Sequence, residues 1–308
     1  MSSGALVVGE ALIDEVVGRD GVRRHPGGSP ANVALGLARL HVATRLHTAI
    51  GDDEDGRLIR RELAASGAIV TAESETDAPT SKAVAVLGAD GSATYEFSVR
   101  WAPGELDDLL DPRIIHTGSL GAFLEPGSAL VRDIVRRGRA GGAVITFDPN
   151  VRPSLVPPPD VSRVLFESIA FSSRLTKLSD EDAEFLYPGQ SVHRVLDTLV
   201  GAGVAVAAIT RGSEGAVLAS GEHRVEVPTV PTEVADTVGA GDSFMAALIW
   251  ALAFAVGSWD GGTIEPSRLE EVGRTAARAA AITVSRPGAD LPVLTELAHS
   301  NRRIHARS

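Results

Sequence analysis

The sequence predicts an α/β protein with a mostly parallel central sheet and a second, much smaller β-sheet. Short apolar runs, such as 5–8 and 204–210, have the length and composition of buried strands. Stretches with a helical spacing of apolar residues follow many of these runs, and this alternation is typical of parallel strands connected by helices. Two segments, at about 15–25 and 80–100, break the alternation with short β-like runs.

The alternating elements can be placed in order along the chain. The apolar runs predict strands at 5–8, 45–50, 114–116, 143–147, 204–210 and 216–218. The helical spacing predicts helices at 31–40, 57–66, 128–139, 161–169, 241–256 and 269–284.

The two exceptional segments are predicted to form short antiparallel strands. Asp20-Gly21 marks a hairpin turn within 15–24, and strands at 82–87 and 93–99 flank Asp90-Gly91. Because no helix separates the strands within each segment, they cannot be parallel crossover units. We therefore expect a small sheet that stands off the main body, within one domain that spans the whole chain, 1–308.

Composition restricts the class of function. The 308 residues carry a net charge of −11, and no basic run precedes the C-terminal tail, which argues against a nucleic-acid or anionic-membrane partner. The absence of cysteine excludes disulfides and thiolate metal sites. No signal-peptide pattern opens the chain, and the most apolar helical stretch, 244–256, is too short to cross a bilayer. A cytoplasmic enzyme is expected.

The most informative segment is the turn from Asp236 to Asp242, which runs directly into an apolar helix. Gly239, Ala240 and Gly241 have little or no side chain, so a ligand can approach their backbone closely. The unpaired N–H groups and the dipole at a helix N-terminus bind anions, most often phosphate. Asp242 would repel such an anion, which favours a catalytic role as a general base, although Asp is also a common helix cap.

A second segment, 26–40, is another glycine turn that leads into an apolar helix, with Gly27, Gly28 and a polar Asn32 near its start. The two segments together resemble the paired signature motifs of the ribokinase-like (PfkB) carbohydrate kinases. The resemblance extends over 8–292 and implies a three-layer α/β/α sandwich with the small sheet as a lid over a sugar site. It also implies ATP and Mg²⁺ as cofactors, a possible K⁺ ion, and a homodimer formed through the lid.

The candidate sugar contacts lie mainly in the first half of the chain. Asp14 follows the first strand and matches the sugar-binding aspartate of the family, whereas Asn32 needs a hydrogen-bond partner because an unpaired buried amide is costly. Arg152 offers a planar fork for a phosphate or a carboxylate, or forms a surface ion pair. The full set of predicted substrate contacts is Asp14, Gly27, Gly28, Asn32, Tyr95, Phe97, Asn150 and Arg152. Aromatic side chains such as Phe97 and Trp101 could equally serve packing.

The resemblance also implies the nucleotide and metal contacts. The predicted nucleotide set is Lys177, Thr210, Gly212, Gly215, Ala281 and Ser285. The chain departs from the family pattern after Lys177, because Ser179 replaces an amide and Asp182 stands where a glutamate is usual. Asp182 is therefore either a water-mediated Mg²⁺ contact or part of a helix cap. The monovalent-cation site is assigned by resemblance to Asp236, Val238, Thr283, Arg286 and Gly288.

Several other functions are excluded by missing motifs. No glycine precedes either lysine as in a P-loop, no G-x-G-x-x-G follows the first strand, and no H-E-x-x-H occurs. We therefore predict an ATP-dependent sugar kinase with Asp242 as general base and 239–241 as the anion hole, acting on fructose. A 2-keto-3-deoxygluconate kinase is the alternative substrate assignment. A sugar- or nucleotide-binding protein that has lost catalysis is the non-enzymatic alternative, favoured only by the altered segment 177–182.

Overall fold

The computed structural model describes residues 4–18, 21–87, 93–255 and 259–297. Its strands are β1 (Gly4–Val8), β2 (Leu12–Gly18), β3 (Gly21–Gly27), β4 (Ala43–His47), β5 (Ile50–Gly51), β6 (Ala68–Val70), β7 (Glu75–Thr76), β8 (Lys82–Leu87), β9 (Ala93–Ser98), β10 (Ile114–Gly118), β11 (Val144–Asp148), β12 (Leu175–Ser179), β13 (Val206–Thr210), β14 (Ala216–Ser220) and β15 (His223–Val227). Its α-helices are α1 (Ser29–Arg39), α2 (Glu54–Ser66), α3 (Gly127–Ala140), α4 (Pro159–Ala170), α5 (Asp180–Leu186), α6 (Val192–Gly201), α7 (Ala240–Trp250) and α8 (Pro266–Val284).

Across the described ranges, nine strands form the central sheet in the order β15-β14-β13-β12-β11-β10-β1-β4-β6. The strands from β6 to β13 are parallel, and β14 and β15 add an antiparallel edge. Buried apolar side chains cover both faces: α1, α7 and α8 pack on one, and α3, α4 and α6 on the other. The three-layer α/β/α prediction is confirmed. Because the strands are parallel, their carboxyl ends meet at one edge, where ligands bind in such sheets.

The small sheet has the strand order β3-β2-β8-β9. The β2–β3 and β8–β9 pairs are antiparallel as predicted, and β2 joins the pairs by a parallel contact to β8. Its first strand begins at Leu12, earlier than the sequence pattern indicates. Asp20 and the Asp90-Gly91 turn fall among residues that the structure does not describe, as does the basic tail 301–308.

Other element boundaries differ from the sequence prediction. Helix α6 was absent from it, because α6 offers only one short apolar stripe. Helix α5 is short and opens with three acidic residues, so it was indicated only by the helix cap that was one interpretation of Asp182. Helix α7 ends at Trp250, which is earlier than predicted, and a π-helical turn follows it over 251–255. No helix within the described ranges combines the length and hydropathy needed to span a membrane.

Asp53 connects the start of α2 with the segment that leads into the small sheet at β8. Its Oδ1 accepts hydrogen bonds from Gly56 N (2.7 Å) and Thr80 Oγ1 (2.7 Å), and its Oδ2 accepts one from Thr80 N (2.8 Å). The Thr80 hydroxyl also accepts a hydrogen bond from Gly51 N at 3.0 Å. Asp53 therefore caps α2, as its position before the helix indicates, and ties the chain that leads into β8 to the main body.

Asp53→Ala is expected to lower the free energy of unfolding by about 1–2 kcal/mol, because a helix N-cap and two contacts to Thr80 are lost. Urea denaturation followed by circular dichroism measures the change. Asp52→Ala is the matched control: this exposed neighbour pairs only with Arg57 and should shift stability by no more than about 0.5 kcal/mol. Equal effects of the two variants would contradict the capping role.

Candidate active site

A cleft of about 340 Å³ lies beyond the carboxyl ends of β1, β10 and β11, between the starts of α1 and α7 and the small sheet. It brings together most of the predicted sugar and catalytic residues, namely Asp14, Gly28, Asn32, Phe97, Asn150, Arg152, Gly239, Gly241 and Asp242. The remaining lining residues are Glu10, Leu12, Ser29, Ala83, Ser119, Leu120, Leu155, Thr237 and Val238.

Gly27, Tyr95 and Ala240, which belong to the predicted sugar and catalytic sets, are not among the lining residues. Gly27 ends β3 beside Asp14, and a Cβ there would lie 2.1 Å from the Asp14 Oδ2 atom. Tyr95 is on β9, and its side chain is outside the described part of the chain. Trp101 is buried in the main body, where its Nε1 donates to the Gly121 carbonyl at 3.0 Å, so it packs behind the cleft and does not cover it.

The turn 239–241, which is predicted to bind an anion and is called the anion turn below, has the backbone that its small residues allow. Gly239 is the N-cap of α7 with φ 77°, and a Cβ there would lie 2.7 Å from Ala289 Cβ, so both conformation and space require glycine. Ala240 N donates to Thr237 O in a long, 3.3 Å bond. A Cβ at Gly241 would lie 3.1 Å from Lys177 Nζ. The start of α7 thus faces the cleft with an ammonium group close behind it.

Asp242 is buried at the base of the cleft and is held by two side chains from α1. Its Oδ1 accepts a hydrogen bond from Ser29 Oγ at 2.6 Å, and its Oδ2 accepts one from Asn32 Nδ2 at 2.8 Å. These bonds fix the carboxylate against α1, so Asp242 does not serve as the N-cap of α7, a place that Gly239 takes. The partner that Asn32 requires is therefore Asp242, where the sequence suggested a substrate. Ser29 was not predicted; its only signal is its place after Gly28.

The cleft carries more negative than positive charge. Glu10, Asp14 and Asp242 line it together with one guanidinium, that of Arg152. Burial raises the pKa of Asp14, with Asp242 adding to the effect, although Arg152 and His25 oppose it. Arg152 Nη1 donates to Asn150 Oδ1 at 2.8 Å, and this hydrogen bond orients the guanidinium.

Glu10 is a second residue that the sequence prediction missed. It lies two residues after the end of β1, is buried, and its Oε2 accepts a hydrogen bond from Gly121 N at 2.9 Å. Burial raises the pKa of Glu10 to about 7, against the opposing effects of Ser119, Gly121 and Arg152. A polar residue two positions after an apolar strand was the available signal.

Lys177 and Asp148 form a buried ion pair beneath the cleft. Lys177 Nζ lies 2.9 Å from Asp148 Oδ2, and the two side chains are 4% and 1% exposed. Burial raises the pKa of Asp148. Burial alone would lower the pKa of Lys177, but the carboxylates of Asp148, Asp182 and Asp242 raise it overall, so the ammonium stays charged. Lys177 therefore places its charge behind the anion turn, and its contact with a nucleotide remains a prediction.

Asp182 completes a capping box at the start of α5. Its Oδ2 accepts a bond from Ser179 N (2.8 Å), its backbone N donates to Ser179 Oγ (3.0 Å), and its Oδ1 accepts a bond from Val151 N (2.7 Å). Over the described ranges, no three His, Asp or Glu side chains cluster as a metal site. Each Asp182 oxygen keeps a second lone pair, so the donor set fits a hydrated Mg²⁺ only through water.

Asp236 links the two loops that carry the predicted monovalent-cation residues. Its Oδ1 accepts a bond from Val238 N (3.0 Å) and its Oδ2 one from Gly288 N (2.9 Å), and these bonds lower its pKa. Arg286 N donates to Thr283 O at 3.0 Å at the end of α8. Asp236 thus joins the segment before α7 to the loop after α8, which carries Arg286 and Gly288, whereas Thr283 is buried in the last turn of α8.

The remaining predicted nucleotide contacts lie on the strands and helix beside these loops. Thr210 ends β13, and Gly212 and Gly215 bound the turn into β14, both with positive φ. Ala281 and Ser285 lie on the last turn of α8 and at its end. The contact of these five residues with a nucleotide remains a prediction.

Comparison with known proteins gives a consistent result. A model of the pfkB family carbohydrate kinases matches residues 5–296. Fructokinase-2 of Solanum lycopersicum is 31% identical over 317 residues, an alignment that covers 95% of this chain and 94% of that protein.

Solved structures resemble the whole chain. A fructokinase from Xylella fastidiosa with bound ATP superposes with a TM-score of 0.85 at 24% identity, covering 99% of this chain and 100% of that one. A fructokinase from Vibrio cholerae O395 in a form with fructose, ADP and calcium bound has a TM-score of 0.79 at 23% identity and covers 96% of each chain. These likenesses support the fold described above.

Proposed function

Since this chain belongs to the pfkB family of carbohydrate kinases, which makes it a phosphotransferase with an alcohol group as acceptor, we propose that it transfers the γ-phosphate of ATP to a hydroxyl of fructose. Asp242 accepts the proton of that hydroxyl as it attacks the phosphorus. The observation that carries the proposal is the position of Asp242, buried at the base of the cleft and directed by Ser29 and Asn32 beside the anion turn.

Phosphoryl transfer depends mainly on positioning and on stabilising negative charge. The N-terminus of α7, with Gly239, Ala240 and Gly241, is where the transferring phosphate would bind, and the Lys177 ammonium behind Gly241 adds positive charge. The lid strands cover the sugar side of the cleft with Ala83 and Phe97. Exclusion of water by this cover would favour the sugar hydroxyl over water as the acceptor.

The charge of the cleft favours a neutral sugar over a sugar acid. Asp14 and Asp242 would repel a substrate carboxylate, and Arg152 alone offers it a cation. Arg152 also already bonds Asn150 and influences the pKa of Glu10 and Asp14. This balance, together with the fructokinase relatives, supports fructose in preference to 2-keto-3-deoxygluconate.

The proposed cofactors are ATP with Mg²⁺, and K⁺ at the paired loops. Among the structures with this fold, one fructokinase holds ATP and another holds ADP with calcium, which supports a nucleotide and a divalent cation here. Mg²⁺ would neutralise phosphate charge, with Asp182 contacting it through water. A homodimer through the lid and a cytoplasmic location also remain predictions. Family membership removes the reason to prefer the non-enzymatic alternative.

The test is ADP release from MgATP in the presence of fructose, 2-keto-3-deoxygluconate, ribose or adenosine, with and without K⁺. We expect fructose to give the highest kcat/KM, because the acidic cleft suits a neutral sugar. A preference for 2-keto-3-deoxygluconate would instead mean that Arg152 binds the substrate acid. ADP release that no sugar stimulates would contradict the proposal.

A further inference from the structure

Glu10 is the acid in the cleft to which the reaction described above gives no role. It lines the cleft next to Asp14, yet only 4% of it is exposed. Burying a carboxyl is unfavourable unless hydrogen bonds compensate it, and Glu10 receives one from Gly121 N at 2.9 Å. A side chain of this kind at a binding surface calls for a functional explanation.

The turn that Glu10 contacts is held in an unusual conformation. Ser119, which lines the cleft, has φ 51°, a value uncommon for residues other than glycine. Asn150, across the same cleft, has φ 34°. The backbone of Gly121 is held at both of its polar groups, because its N–H donates to Glu10 and its carbonyl accepts a hydrogen bond from Trp101 Nε1. Such backbone strain persists only where the surroundings impose it, and it is concentrated at binding sites.

We propose that Glu10 is a specificity-determining residue, whose carboxyl hydrogen-bonds one hydroxyl of the acceptor sugar while its bond to Gly121 holds the turn 118–122 against the cleft. The inference rests on the proposed sugar-kinase function and adds a second acidic contact to Asp14. It assigns to the sugar site a residue that the motif-based sequence prediction omitted.

The chemistry of Glu10 differs from that of Asp14 and Asp242. Because burial raises its pKa to about 7, a large fraction of Glu10 is protonated near neutral pH. A neutral carboxyl both donates and accepts hydrogen bonds, so it can pair with either atom of a sugar hydroxyl. The charged group whose field reaches Glu10 is Arg152, and Ser119 and Gly121 are its hydrogen-bond partners. A bound sugar displaces water and thereby favours the neutral form further.

The sign of the resulting pH dependence follows from this preference. If the neutral form binds the sugar, affinity is greatest below pH 7 and falls as pH rises through the pKa of Glu10. For a single group with this pKa, the KM for fructose rises by up to about eightfold between about pH 6.5 and pH 8.

The first test uses a series of monodeoxy fructoses with the wild-type enzyme and Glu10→Ala. We expect one analogue to lose about tenfold or more in kcat/KM relative to fructose in the wild type. In Glu10→Ala, fructose and that analogue should react within about threefold of each other, since the contact is already missing. If Glu10 only held the turn, Glu10→Ala would lower kcat/KM equally for fructose and for every analogue. The ratio of kcat/KM between fructose and the analogue would then be unchanged, and this result would overturn the proposal.

The second test uses Glu10→Gln, which preserves the size of the side chain and its acceptor for Gly121 but cannot ionise. The KM rise above pH 7 should disappear in this variant and persist in Glu167→Gln, whose side chain bonds Tyr187 outside the cleft. Persistence of the rise in Glu10→Gln would overturn the proposal even if Glu10→Ala fails to fold. Absence of fructose turnover in the wild type would instead overturn the proposed function, which distinguishes the two failures.

Discussion

Asp242→Asn is expected to lower kcat by about 10²- to 10⁴-fold, the range that loss of a general base produces. The amide has the same size as the carboxylate and can still accept a hydrogen bond from Ser29. It cannot take the proton of the acceptor hydroxyl. Steady-state ADP release with fructose measures the rate, and titration calorimetry with MgATP should give an affinity close to that of the wild type.

Two comparisons separate catalysis from folding in this experiment. Asp242→Asn should unfold within about 1 kcal/mol of the wild type, since the Asn32 amide, which now donates to Asp242, can turn so that its oxygen accepts a bond from the new amide nitrogen. Glu233→Gln, an exposed acid on the segment that leads into the turn, is the matched control and should retain wild-type turnover. Turnover of Asp242→Asn within about threefold of the wild type would remove Asp242 from the role of base.

Lys177→Met is expected to lower the free energy of unfolding by about 3–5 kcal/mol, the cost typical of leaving one partner of a buried ion pair uncompensated. The Asp148 carboxylate would remain buried without its cation, and its Oδ1 already has no partner among the described residues. The loss should be smaller in acid, because Asp148, whose pKa is raised by burial, then becomes neutral. Urea denaturation at neutral and at acidic pH measures both effects.

The double variant Lys177→Met/Asp148→Asn tests the cause of this loss. Removing the second charge should restore part of the stability, so the two substitutions should not be additive. Arg57→Met is the matched control, since it breaks the exposed Arg57–Asp52 pair and should change stability by no more than about 1 kcal/mol. Full additivity, or a loss from Lys177→Met as small as that of Arg57→Met, would show that the buried pair is not the stabilising feature.

The fold and the backbone of the turn 239–241 could be predicted because both depend on local patterns. Alternating apolar runs and helical spacing gave the layers of the main sheet, and the paired β-like runs gave the small sheet. The small residues of the turn from Gly239 to Gly241 allow a ligand to approach the backbone closely, and this property does not depend on the surrounding residues. Arg152 follows the end of β11 and lies at the cleft edge that parallel topology dictates, and Asp14 lines the same cleft from within β2.

The contacts that direct these groups could not be predicted from local patterns. Ser29 and Asn32 meet Asp242 across more than 200 positions of sequence, and Lys177 meets Asp148 across 29, so each pair depends on the order of strands in the sheet. Glu10 sits within an apolar context that indicated only a strand end. Its burial depends on the turn from Gly118, whose conformation no short motif specifies.

The most direct test of the central claim is product analysis of a reaction that contains the wild-type protein, MgATP and fructose. Mass spectrometry of the sugar and enzymatic assay of ADP should give one fructose monophosphate for each ADP formed. In Asp242→Asn, the initial rate of fructose monophosphate formation should fall by the same factor as kcat. ADP formed without phosphorylated sugar, or sugar phosphate formed equally well by Asp242→Asn, would contradict transfer from ATP to a sugar hydroxyl at this cleft.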